Sequence, residues 1–92
     1  MTSRSAVVRN QLGMHARAAA RFVHVASSFE SRVRVARGNR VMDGKSIMGI
    51  LLLAAARGAE ITISAEGRDE AEAVDALCRL VEAGFGEEPC SA

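Results

Sequence analysis

The stretch that decides the fold is RVRVARGNRVM, residues 32–42. Val33 and Val35 alternate with arginines, which predicts a strand with one apolar face and one solvated face. The pair Gly38-Asn39 suits a two-residue hairpin turn, because both residue types tolerate a positive φ. Residues 40–42 form the returning strand. This segment therefore predicts an antiparallel hairpin at the edge of a sheet.

Two further strands flank this hairpin in sequence. Residues 60–66, EITISAE, alternate strictly between apolar and polar, and residues 5–9, SAVVR, contain two β-branched valines between polar ends. Strands that alternate in this way need helices on one face only. The simplest arrangement is a four-stranded, mostly antiparallel sheet covered on one face by helices.

Three helices complete the pattern. Apolar residues, mostly alanines, recur at spacings of three and four over residues 15–27. Ser46 is well placed as the N-cap of a second helix from Ile47 to about Arg57, which Gly58 would end. Asp69 is a plausible N-cap for the last helix.

The last helix should end at Gly84, with Phe85 folding back onto the core. The element order is then βαββαβα. It predicts one α+β domain over residues 1–92, with a core at 4–86, a short tail at 87–92, and three helices on one face of the sheet.

Composition narrows the function classes. The 92 residues carry a formal net charge of +1, and eight of the eleven arginines lie within residues 4–40. A near-neutral balance gives no strong footprint for nucleic acid or an acidic membrane. The longest apolar run, residues 50–56, is far shorter than the roughly 20 residues that span a bilayer. With no visible signal segment, we expect a cytoplasmic protein that binds neither membrane nor nucleic acid.

His15 is the first candidate for chemistry. It lies in GMHAR, residues 13–17, between a strand and a helix, so its imidazole stands at a helix N-terminus. The unpaired N–H groups there attract anions, phosphate above all. Arg17 adds a positive fork suited to phosphate oxygens. The combination suggests a histidine that carries a phosphoryl group, although a histidine that merely caps the helix also fits.

Two motifs resemble one known family. GMHARAA at residues 13–19 looks like the active-site signature of the HPr family, the histidine-containing phosphocarriers of the bacterial phosphotransferase system. DGKSIMGILLLA at residues 43–54 looks like its second signature. The similarity covers residues 5–86. It implies an open-faced two-layer β-sandwich with a four-stranded antiparallel sheet.

The resemblance also implies a mechanism. Phosphorylated enzyme I would pass its phosphoryl group to Nδ1 of His15, and an enzyme IIA domain would receive it. Arg17 would stabilise the phosphoryl oxygens. The protein would be a carrier and not a turnover enzyme. One departure is Ala18, where the family usually has proline, but alanine is a good helix former and should let the helix begin.

Further sites follow from the same resemblance. Ser46 matches a serine that a dedicated kinase, HPr kinase/phosphorylase, phosphorylates in some members, and it also fits as a plain N-cap. A partner-docking patch is implied beside the histidine, although core packing would equally explain Met48 and Leu51, and His24 also reads as a solvated helix residue. The implied patch comprises Ala20, Arg21, His24, Ile47, Met48 and Leu51.

Several alternatives remain at this level. The chain resembles both the sugar-transport carrier and its nitrogen-branch paralogue, whose ending is similar to GFGEE at residues 84–88. A purely regulatory binding module and an arginine-rich nucleic-acid-binding domain are competing classes. We expect a monomer with no cofactor. We also expect no metal site, because His15, His24 and a cysteine lack a recognised metal-site spacing. Cys78 and Cys90 read as a buried thiol and a tail thiol.

Overall fold

Eight elements make up the part of the chain that the computed structural model describes, residues 1–86. The predicted tail at 87–92, with Cys90, lies outside these residues. In chain order the elements are β1 (Thr2–Val7), α1 (Ala16–Ser27), β2 (Arg32–Arg37), β3 (Arg40–Asp43), α2 (Ile47–Leu52), β4 (Glu60–Glu66), α3 (Glu70–Glu82) and a short 3₁₀ turn (Gly84–Gly86), called the C-terminal turn below.

The four strands form one antiparallel sheet in the order β1-β4-β2-β3. Val35 lies opposite Ile63, and Ala6 lies opposite Ile61, so these apolar side chains share one face. On the other face the hydroxyls of Ser3 and Ser64 are 2.8 Å apart. The prediction of an α+β fold, with an antiparallel four-stranded sheet and three helices, is confirmed.

The helices cover the apolar face of the sheet. Helix α3 packs on β1 and β4, while α1 packs against both α2 and α3. Because the chain has only three aromatic residues, the core is mainly aliphatic. The largest fully buried side chains are Phe22, Phe85, Ile50, Leu53, Ile61, Ile63 and Leu77.

Helix α2 is much shorter than predicted. It ends at Leu52 with Leu53 as its C-cap, and not near Arg57 with Gly58 beyond it. Ala54 takes a left-handed conformation with φ of 52°, which stops the helix. The turn lets Leu53 and Ala55 both reach the core, where each is buried. Tertiary packing therefore overrides the helical propensity of this leucine- and alanine-rich stretch.

Strand β1 begins earlier than predicted, at Thr2 and not at Ser5. The early residues are polar, so composition gave no strand signal there. Thr2 nevertheless lies opposite Ala65 in the ladder with β4. Its hydroxyl also donates to a carboxylate oxygen of Glu70 at 2.6 Å. Long-range pairing, which no local pattern encodes, extends the strand.

Asp69 precedes α3 as predicted, but its side chain does not cap the helix. Its carboxylate accepts from the Ser31 hydroxyl, and also from the backbone N–H groups of Glu30 and Ser31 at 2.9 Å. These bonds, the hydroxyl first, lower the pKa of Asp69 to about 2. The carboxylate therefore fastens the start of α3 to the turn that follows α1.

Candidate functional site

His15 is the N-cap of α1. Its backbone is extended, with φ of −77° and ψ of 179°, and its ring Nδ1 accepts the backbone N–H of Arg17 at 3.3 Å. A ring nitrogen that accepts an N–H bond carries no proton, so Nδ1 keeps a lone pair. The half-buried imidazole thus presents an unprotonated nitrogen at the positive end of a twelve-residue helix.

The loop before His15 is fixed by backbone contacts. Its own N–H donates to Gly13 O at 2.9 Å, and Met14 N–H donates to Ala55 O at 2.9 Å. Gly13 has φ of +68°, and a Cβ there would stand 2.7 Å from Ala55 O. A side chain at Gly13 would therefore strain the backbone and collide with the segment after α2.

Arg17 and Ala18 occupy the first turn of α1 in different ways. Arg17 is exposed, so its guanidinium lies at the surface on the same helix end as the imidazole. Ala18 is fully buried. The helix begins at Ala16 although the chain has no proline here. The family's proline is thus not needed for the helix start in this sequence.

Ser46 is the N-cap of α2, as its position predicts. Its Oγ accepts the backbone N–H of Gly49 at 3.1 Å, and its own N–H donates to Asp43 O at 3.2 Å. The serine is half-buried, so its hydroxyl is neither sealed in the core nor fully in water. Its capping role is compatible with its being a modification site.

The predicted docking residues divide between the surface and the core. Ala20 and His24 are exposed on α1, and Met48 is 65% exposed on α2. Leu51 is instead half-buried and packs against the core. Its neighbour Leu52 is 52% exposed and was not predicted as a docking residue. A helix that is apolar almost all round gives no periodicity from which the outward leucine could be told.

Ile47 and Arg21 complete the set. Ile47 is exposed at the start of α2. The Arg21 guanidinium donates to the backbone oxygen of Phe85, so this side chain ties α1 to the C-terminal turn. Arg21 is nevertheless an exposed residue. Its bond to Phe85 was not predicted, because it joins residues that are 64 positions apart.

Other cations also bind backbone carbonyls. Arg37 donates to Leu53 O at 3.0 Å and Arg40 donates to Leu52 O at 2.8 Å, both at the C-terminal end of α2. Lys45 Nζ donates to Phe29 O at 2.8 Å, just beyond α1. Positive charge at the C-terminal end of a helix is favourable. Part of the basic first half of the chain is thus used in structural capping.

Residues 1–86 contain no group of three or more histidine, cysteine or acidic side chains placed to hold a metal ion. Within the same residues, no helix has the length and apolar character needed to cross a bilayer. Cys78 is buried, and burial raises the pKa of its thiol. A buried, protonated thiol is a poor nucleophile.

The sequence and the fold of this chain are both similar to those of known phosphocarrier proteins. The sequence profile of the family described as "PTS HPr component phosphorylation site" matches residues 2–83. Phosphocarrier protein HPr of Cupriavidus necator is 45% identical over 87 residues, which cover 95% of this chain and 98% of that protein.

Two more relatives extend the comparison. Phosphocarrier protein NPr of Shewanella violacea is 37% identical over 84 residues, covering 91% of this chain and 92% of that protein. The crystal structure of HPr-C-His from Thermoanaerobacter tengcongensis superposes with a TM-score of 0.92 at 45% identity, covering 97% of this chain and 100% of that one. The chain belongs to the HPr family of phosphocarriers, as its two motifs predict.

Proposed function

We propose that His15 accepts a phosphoryl group from phosphorylated enzyme I and passes it to a histidine of an enzyme IIA domain. The observation that carries this proposal is the hydrogen bond from Arg17 N–H to His15 Nδ1. It identifies Nδ1 as the acceptor nitrogen of the ring, and attack on phosphorus requires Nδ1 to exchange the Arg17 N–H for the phosphorus atom. The phosphorus then forms a bond to Nδ1 as its bond to the donor nitrogen breaks.

The groups around Nδ1 suit the charge of the product. Once Nδ1 is bonded to phosphorus, it can no longer accept the Arg17 N–H. That donor can then turn to a phosphoryl oxygen, together with the other unpaired N–H groups of the first turn. The exposed guanidinium of Arg17 supplies a fixed positive charge beside them. Phosphoryl transfer depends mainly on such positioning and charge stabilisation.

The first test is intact-mass spectrometry after incubation with phosphoenolpyruvate and enzyme I. Wild type should gain one acid-labile phosphoryl group, and His15→Ala should gain none. His24→Ala tests the other histidine of the chain: it should still gain one group when the reaction is complete, although its place on the proposed docking surface would slow the reaction. Full labelling of His15→Ala, or none of wild type by a competent enzyme I, would contradict the proposal.

Partners would dock on the exposed surface formed by Ala20, Arg21 and His24 on α1 and by Ile47, Met48 and Leu52 on α2, where Leu52 takes the outward place predicted for Leu51. Methionine suits such a surface, because a flexible side chain can adapt to more than one partner. Met48→Glu should raise the KM for phosphorylated enzyme I more than it lowers kcat. Val41→Glu, another exposed apolar residue but on β3, should leave both constants unchanged.

Ser46 is proposed as a regulatory phosphorylation site for HPr kinase/phosphorylase. Its half-buried hydroxyl stands at the start of α2, next to the exposed Ile47 and Met48. A phosphate there would add nearly two negative charges beside an apolar docking surface. Incubation with ATP and that kinase should give an acid-stable adduct, which Ser46→Ala removes. An adduct that survives the substitution would exclude Ser46.

A regulatory role in the nitrogen branch is the second candidate, because the chain is similar to both an HPr and an NPr. The carrier would then act through phosphorylation-dependent protein binding and not through sugar uptake. Phosphorylation kinetics with a sugar-branch and a nitrogen-branch enzyme I distinguish the two. The cognate enzyme should give the larger kcat/KM. In either branch we propose a cytoplasmic monomer.

A further inference from the structure

Asn10 is an unusual residue for its position, because it is polar and only 7% exposed. It lies in the loop between β1 and α1, five residues before His15. Its side-chain Nδ2 donates to Gly13 O at 2.6 Å. Its backbone oxygen accepts the N–H of Gly13 at 3.1 Å. Asn10 therefore holds both polar backbone groups of Gly13.

The Gly13 carbonyl links Asn10 to the functional site. The same oxygen that accepts from Asn10 Nδ2 also accepts the backbone N–H of His15 at 2.9 Å. Two donors on one carbonyl fix its direction. The His15 backbone is thereby held at the orientation in which ring Nδ1 faces the Arg17 N–H.

The C-terminal turn supports Asn10 from another side. A Cβ placed on Gly84 would lie 3.5 Å from Asn10 Cβ, so the two backbones are in close contact. Phe85 is fully buried and anchors this turn, and its backbone oxygen accepts from Arg21 of α1. Asn10 is thus enclosed between the turn and the Gly13 carbonyl, which leaves its amide little freedom.

We infer that Asn10 is a positioning residue for His15, and that its side-chain amide sets the direction from which Nδ1 meets a phosphoryl donor. The inference rests on the proposed function. Phosphoryl acceptance is sensitive to small displacements, because a misplacement of about 1 Å can cost on the order of a hundredfold in rate. The amide acts only through the Gly13 carbonyl and the His15 backbone.

Two substitutions of Asn10 test this role. Asn10→Asp keeps the shape and replaces the N–H donor with an oxygen, which repels the Gly13 carbonyl. Asn10→Ser is the conservative variant, because its hydroxyl can still donate. Ser31→Ala is the matched control. Ser31 is the other buried polar residue among residues 1–86, and its hydroxyl bonds to Asp69, so that change also removes a buried hydrogen bond.

The first measurement is the ¹⁵N chemical shifts of the His15 ring in each unphosphorylated protein. No partner is needed, so the result does not depend on the relay. In wild type the Nδ1 signal should have the shift of an unprotonated, hydrogen-bonded nitrogen. Asn10→Asp should move it toward the average of two exchanging tautomers, and Ser31→Ala should leave it unchanged. Asn10→Ser should lie closer to wild type than Asn10→Asp does.

The second measurement is the phosphorylation rate constant with phosphorylated enzyme I at saturation. Asn10→Asp should lower it about tenfold with little change in KM, because docking residues are untouched. Wild-type ring shifts and a rate within twofold of wild type in folded Asn10→Asp would overturn the inference. So would an equal loss in Ser31→Ala. If wild type itself takes no phosphoryl group, the proposed function fails, while the ring shifts still decide the role of Asn10.

Discussion

The N-terminal ends of α1 and α2 resemble each other but have different capping side chains, His15 and Ser46. Each is preceded by a glycine two residues before the N-cap, Gly13 before His15 and Gly44 before Ser46, and each glycine lies against another segment. At both starts a side-chain atom accepts a backbone N–H of the first turn. At the first start this atom is a basic ring nitrogen, and at the second it is a hydroxyl oxygen.

That difference determines what each site can do. A neutral imidazole attacks phosphorus directly, and the resulting P–N bond is readily passed on. A serine hydroxyl needs a base from its kinase, and its phosphate ester is stable. Under the proposed function, His15 would therefore hold a transient phosphoryl group and Ser46 a persistent one.

The largest effect is expected for Gly13→Ala. The new Cβ would stand 2.7 Å from Ala55 O, at φ of +68°. We expect a loss of about 2–4 kcal/mol in the free energy of unfolding, from backbone strain and overpacking together. Urea unfolding measures it. Gly38→Ala is the control, because it has φ of +62° with nothing within 4 Å, and it should lose only about 1 kcal/mol.

Gly44→Ala should have the next largest effect. Its Cβ would come within 2.4 Å of Val33 Cγ1 in the core, although Gly44 has no positive φ. Overpacking of this kind costs about 1–3 kcal/mol. If the two helix starts are independent, the phosphorylation rate of His15 should remain within twofold of wild type. A large drop in that rate for a protein that is still folded would show that they are coupled.

Ser46→Ala should cost about 1 kcal/mol, because the Gly49 N–H loses its acceptor. Ser46→Asp restores a capping oxygen and should recover most of this loss in thermal unfolding. The aspartate also mimics part of the phosphate charge. It should therefore slow His15 phosphorylation while keeping stability. Ser46→Ala should lose stability without slowing His15 phosphorylation.

Ala54→Gly should stabilise the protein by about 0.5 kcal/mol. Ala54 has φ of 52° immediately after α2, a conformation that glycine adopts without a Cβ penalty. The gain is partly offset by the larger entropy of glycine in the unfolded chain. A rise in the urea midpoint with an unchanged slope would support this expectation, and a fall would contradict it.

The start of α3 should differ from the other two in its response to acid. The pKa values of Asp69 and Glu70 are both lowered to about 2, from ordinary values of 3.8 and 4.5. For Glu70 the cause is first the Thr2 hydroxyl, then Gly67 N–H and the N-terminal ammonium. A lowered pKa contributes stability above the unfolded value, and this stability is lost as the pH falls through the folded value.

The melting temperature should therefore fall between about pH 4.5 and pH 2. The double variant Thr2→Val with Ser31→Ala removes the side-chain hydroxyl that contributes most to the lowered pKa of each carboxylate, and it should flatten that fall. The same slope in the variant would assign the acid sensitivity to other groups. The effect should be small, because Asp69 and Glu70 are only half-buried and water and salt still screen their charges.

The sequence predicts the fold well where the signal is local. The alternation over residues 60–66 gave β4 with its observed bounds, and Phe85 folds back as predicted. Errors arise where distant segments decide. Helix α2 ends early because Leu53 and Ala55 belong to the core, and β1 begins early because β4 pairs with it.

The candidate site shows the same division. The placement of His15 and Ser46 at helix starts follows from residue type and neighbours. The bond of Arg21 to Phe85 and the contact of Asn10 with Gly84 do not, because each joins residues more than sixty positions apart. Which of Leu51 and Leu52 faces outward depends on how the short helix is oriented about its own axis when it packs on the core. No pattern in the sequence specifies that rotation.

Two of the four arginines on the β2–β3 hairpin support the C-terminal end of α2. This helix has six residues, too few to be stable alone, and its last carbonyls are held by Arg37 and Arg40. We therefore expect the helix and the hairpin to open together. In native-state hydrogen exchange their amides should form a single cooperative unit. The rigidity of the surface around Met48 then depends on two hairpin side chains, Arg37 on the interior strand β2 and Arg40 on the edge strand β3.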